Sequence, residues 1–136
     1  MLADADLLTG FERASLPNDA FHHEEHVRVA WLFVQRYGLP DALGEFSRGL
    51  KRFASAKGKP DLYHETITWA FILLIADRLA RQPTRTWEEF ADQNPDLLTW
   101  KPSVLDRYYT SETLWSDLAR RTFVWPDRTL RVVEAD

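Results

Sequence analysis

The sequence predicts an all-α fold, a helical bundle occupying one domain over residues 1–136. Three observations point there. Apolar residues recur at spacings of three and four through the first eighty residues, the period of a helix face. Helix-starting signals recur along the rest of the chain, among them Thr86-x-x-Glu89, Asn94-Pro95 and Thr110-Ser111. No segment shows a sustained strand alternation with a partner, and no repeat or long linker divides the chain. A chain of 136 residues with 45% apolar content can bury roughly two thirds of its extended surface in one core.

In chain order, residues 2–13 read as a short helix with Leu7, Leu8 and Phe11 on one side. Ser15, Pro17, Asn18 and Asp19 break it, and Asn18 or Asp19 is the expected N-cap of a second helix ending at Tyr37-Gly38. Its inward face is expected to hold His23, His26, Val27, Ala30, Phe33, Val34 and Tyr37. Arg28 is expected outside, paired with Glu24 one turn earlier. Pro40 opens a third helix over about 40–57 that stops at Gly58. Leu43, Phe46, Leu50, Phe53 and Ala54 form its stripe, and Arg48, Lys51, Arg52 and Lys59 read as a solvated basic face. The fourth helix, about 62–81, is apolar on nearly all sides from Ile67 to Leu79 and is expected at the centre. Short helices follow, the last over 112–121, and Phe123 to Asp127 reads as an extended arm laying its aromatics on the bundle.

Composition narrows the function classes. Net charge is −4, which disfavours nucleic acid and anionic membrane surfaces as partners. With no cysteine, a metal centre can use only His, Asp or Glu. The first residues, Met-Leu-Ala-Asp-Ala-Asp, lack the basic start and apolar run of a signal peptide, and the longest apolar run is too short to span a bilayer. A cytoplasmic location is the expectation. No G-x-S-x-G, Walker loop or glycine-rich dinucleotide turn occurs.

Chemistry concentrates at two expected helix starts. Phe21-His22-His23-Glu24-Glu25-His26 holds three of the four histidines, and Tyr63-His64-Glu65-Thr66 holds the fourth. His22 and His26 are four apart and His23 and His26 three apart, so either pair shares a helix face. If the second and fourth helices run parallel, their starts lie at one end and His64 joins the cluster. Either pair, His22 with His26 or His23 with His26, could then bind zinc, iron, nickel or manganese with His64 as a third imidazole. His64 and Glu65 are the candidate acid–base pair, Glu65 orienting an imidazole or completing the coordination. His22 to His26 also matches the H-x-x-E-H pattern of inverted zinc peptidases, but a small helical chain offers none of their structural context. Beside these stands a plainer reading, in which the histidines cap helices, bond carbonyls or sense pH. The protein is then a non-catalytic module binding a small-molecule ligand or a protein. Trp31, Tyr63, Trp69 and Phe71 are the aromatics expected near such a pocket.

Phe21-x-His23-x-x-His26-Val27-Arg28-x-Ala30-Trp31, Tyr63-His64-Glu65-Thr66-Ile67-Thr68, Ala119-Arg120 and Phe123-Val124-x-Pro126-Asp127 together resemble a group of small, uncharacterised bacterial helical proteins. The resemblance spans most of the chain. It implies His23, His26 and His64 as the positions that matter and His22 as the spare, and it implies no reaction.

Overall fold

The computed structural model describes residues 2–128; Met1 and residues 129–136, which the expected domain includes, lie outside them. Among the described residues there are eight α-helices and no strand: α1 (Asp4–Glu12), α2 (His23–Tyr37), α3 (Asp41–Ala56), α4 (Glu65–Arg81), α5 (Trp87–Gln93), α6 (Pro95–Leu98), α7 (Ser111–Leu114) and α8 (Asp117–Arg121). Single 3-10 turns lie at Asn18–Ala20, Pro60–Leu62 and Val104–Arg107. The architecture is the all-α one expected. None of the described helices is long and apolar enough to cross a membrane.

Two starts are displaced from their expected positions, each for a local reason. Residues 18–20 form their own turn, so α2 begins later and His22 is its N-cap. Glu25 closes that start by accepting the His22 backbone N–H at 2.8 Å. Pro60–Leu62 likewise turns on its own, and His64 becomes the N-cap of α4. The expected 112–121 helix divides at Trp115-Ser116 because the Ser116 hydroxyl accepts the Ala119 N–H at 3.1 Å and starts a new helix.

The core is built on phenylalanines. The Phe11 ring, fully buried, lies 5.6–5.8 Å from the rings of Phe21, Phe33, Phe46 and Phe53. Such offset and edge contacts add to plain area burial. This packing needs α1 against α3 at Gly49, where a Cβ would stand 2.7 Å from Phe11 Cε2. The helix α4 packs on α2, α3 and α8, and its Ile72 and Ile75 are fully buried, as expected of the central helix.

Arg28 corrects the sequence reading. It faces inward, 6% exposed, and its Nε donates to Asp4 Oδ1 at 3.0 Å. Helix spacing placed it beside Glu24, but docking of α1 puts a carboxylate over the α2 surface and draws the guanidinium under it. Tyr37, expected inside, is 37% exposed.

The segment after α8 is the extended arm expected, fastened by hydrogen bonds. Thr66 Oγ1 donates to the Thr122 carbonyl at 2.8 Å and accepts the Val124 N–H at 3.2 Å. Tyr109 donates to the Val124 carbonyl, and the Asp127 carboxylate accepts from Thr110 N, Thr110 Oγ1 and Thr113 Oγ1. Phe123 stacks on Trp69 at 5.5 Å. Trp125 does not join the bundle and is 82% exposed.

Candidate functional site

The starts of α2 and α4 do meet. His23, His26 and Ala30 from α2, Phe46, Phe53 and Ala54 from α3, and His64, Ile67 and Phe71 from the α4 start all line one cavity of about 480 Å³. The lining uses the first half of α2, the later part of α3 and the first half of α4. Thus α2 and α4 run in the same sense with α3 reversed between them, which is why the two histidine clusters converge. Trp100 and Trp115, from the short-helix cap, complete the wall.

Each histidine has a distinct environment. His64 is 5% exposed. Its Nδ1 accepts the Ile67 N–H at 3.1 Å, and its Nε2 lies 2.6 Å from the Leu114 carbonyl. A carbonyl only accepts, so Nε2 carries the proton and the ring is the neutral Nε2–H tautomer. Burial holds its pKa below the ordinary histidine value, against the pull of the Leu114 carbonyl. His23, in the first turn of α2, repeats the pattern. Its Nε2 donates to the Leu97 carbonyl at 2.9 Å, its ring packs 5.1 Å from Phe71 and 5.0 Å from Trp100, and burial lowers its pKa. Leu97 and Leu114 lie at the ends of α6 and α7. Each imidazole therefore takes up a carbonyl left free at the end of a short helix, and joins the cap to the start of a long one.

His26 differs. Its ring stacks on Phe21 at 3.9 Å and enters no hydrogen bond with the described residues. His26 is among the residues lining the cavity. Burial, then the neighbouring His23 and His22, push its pKa down to about 4, so it is neutral near pH 7 and offers one donor and one acceptor. His22 turns away, with its side chain 70% exposed beside Glu25, and is not among the cavity's lining.

Glu65 is not on an imidazole. Its Oε1 accepts from the Tyr63 hydroxyl, with Lys51 Nζ 4.0 Å away. Burial, then the Glu65 carboxylate, raise the Tyr63 pKa. Lys51 also lies 5.1 Å over the Tyr63 ring, while Arg48, Lys51, Arg52 and Lys59 all stay exposed, as expected of the basic face.

As placed, these residues do not fit the expected metal centre. His64 has both nitrogens engaged, His23 keeps only Nδ1, and Glu65 is held by Tyr63 and Lys51. Among the described residues no three His, Asp or Glu side chains stand together as a metal site would require.

Of the aromatics expected near the pocket, Tyr63 and Phe71 line it. Trp31 instead packs on Trp87 and Phe90, and Trp69 on Phe123. Lys57 was missed, although it falls on the Phe46, Leu50, Phe53 stripe one turn further on. Trp100 and Trp115 were also missed, since they lie among short helices whose packing against the long ones is not legible from local spacing. No family model, curated protein or solved structure matches the chain.

Proposed function

We propose that the protein binds a small organic molecule in the cavity between the starts of α2 and α4, with His26 as the imidazole that meets it. The observation that carries this reading is the cavity itself. At about 480 Å³ it falls within the roughly 300–1,000 Å³ of typical ligand sites, which pair apolar walls with a few convergent polar groups. Here the walls include Phe46, Phe53, Phe71, Trp100 and Trp115, and the polar groups include His26, Tyr63 and Thr68. In this role His23 and His64 build the wall and fix its position, and they perform no chemistry. The earlier expectation of a divalent metal or an acid–base pair at His64 and Glu65 is the less favoured reading, because the hydrogen bonds at those residues would first have to be given up.

The test is calorimetric titration with a naphthalene probe, as carboxamide or as carboxylate. We expect saturable one-to-one binding that Ala54→Trp abolishes by filling the cavity, with Leu50→Phe as the milder filling variant should the first fail to fold. Binding of equal strength in a folded filled variant, or no binding of either probe to the native protein, would overturn the proposal.

A further inference from the structure

The charge of the cavity is at odds with the charge of the chain. The protein has 21 acidic and 17 basic residues, yet no Asp or Glu lines the cavity, while Lys57 and Lys59 do. The carboxylates nearest in sequence, Asp61 and Glu65, are outside the lining, and Glu65 is held by Tyr63 and Lys51. No ion pair among the described residues uses Lys57 or Lys59. The Lys57 ammonium lies 5.4 Å over the ring of Phe53, a wall residue, so one cation rests against the aromatic surface. Lys59 is exposed at the solvent side. Facing them are the three imidazoles, of which His23 and His64 spend an N–H on main-chain carbonyls and His26 is neutral near pH 7. A cleft with low-dielectric walls and charge of one sign favours ligands of the other sign.

We propose that the ligand is an organic anion with an aromatic body, its rings against Phe46, Phe71, Trp100 and Trp115 and its carboxylate or equivalent acidic group at Lys57 and Lys59. This rests on the cavity being a ligand site and adds the ligand's charge and shape. The aromatic walls favour a planar apolar body through offset and edge contacts. The two lysines offset the cost of bringing the acidic group to the edge of an apolar space.

The experiment compares two probes of one shape, naphthalene-2-carboxylate and 2-naphthamide, by calorimetry at pH 7.5. They are titrated into the native protein and into the double variant Lys57→Gln, Lys59→Gln. The expected result is a Kd about three- to fivefold lower for the carboxylate in the native protein, as for a charge pair at a partly exposed site. The double variant should lose that preference and keep its Kd for the carboxamide. Equal or tighter binding of the carboxamide by the native protein overturns the charge assignment and leaves the cavity as a ligand site. A preference that survives in the double variant overturns the role of the two lysines. If neither probe binds, the ligand site itself fails, and the anion proposal falls with it.

Discussion

At residue scale the role of each imidazole depends on which of its nitrogens is free. His64 meets a carbonyl 50 positions away and His23 one 74 positions away. Separations of that size explain why the sequence marked both histidines without giving their role. A histidine three or four residues from another is visible on a helix face, whereas the free carbonyl of a short helix far along the chain is not. His26 was legible as inward-facing, but its lack of a hydrogen-bond partner among the described residues was not. Its depressed pKa has a consequence for stability. The group is protonated more readily in the unfolded chain, at about 6.5, than in the fold, at about 4. Its contribution is thus fully present above pH 6.5 and is lost as pH falls from there towards 4. Over that interval the native protein should lose up to about 3 kcal/mol more stability than His26→Phe, which keeps a ring on Phe21 and has nothing to titrate. Urea unfolding at pH 7.5, 5.5 and 4 measures it, and parallel curves for the two proteins would show that His26 is not shielded.

At the scale of elements, the four longer helices and the Thr86 N-cap of α5 were legible because period and caps are local signals. The positions of their ends were less so, since His22 and His64 are unusual N-caps and the short turns before them have no apolar period. The close packing of α1 on α3 was also hidden, because nothing in the sequence distinguishes Gly49 from an exposed glycine. Its surroundings give a test with an informative sign. In an ordinary helix interior, glycine to alanine stabilises by about 0.5–1 kcal/mol. At Gly49 the added methyl meets the fully buried Phe11 ring at 2.7 Å, so Gly49→Ala should instead destabilise by about 1–3 kcal/mol. Thermal unfolding decides it, and a raised midpoint would mean that α1 sits further from α3. The Tyr63-His64-Glu65-Thr66 run also takes on meaning at this scale. His64 holds α7, and Thr66 holds the arm at Thr122 and Val124. The run thus fastens the C-terminal part of the chain to the start of the central helix.

For the whole molecule, the sense of the helices determines the site. Because α3 reverses the chain between α2 and α4, both long-helix starts come to one end, and the gap between them is closed by aromatic residues from the short-helix cap. The convergence of His23, His26 and His64 was legible from the sequence. The ligand set inferred from that convergence was not, because it assumed that nearby imidazoles would be free. Arg28 shows the same limit on a smaller scale: its helix places it at the surface, and only the docking of α1 turns it inward onto Asp4. In the proposed ligand site His23 and His64 are neutral structural groups in the wall. Long-range ¹H–¹⁵N correlation of the imidazoles at pH 7, before and after one equivalent of zinc, decides between this role and a metal centre. The expected spectra show neutral Nε2–H tautomers for His23 and His64, unchanged by zinc. Nδ1–H tautomers, or zinc-induced shifts at the rings of His23, His26 and His64 together, would contradict that role and restore a metal centre.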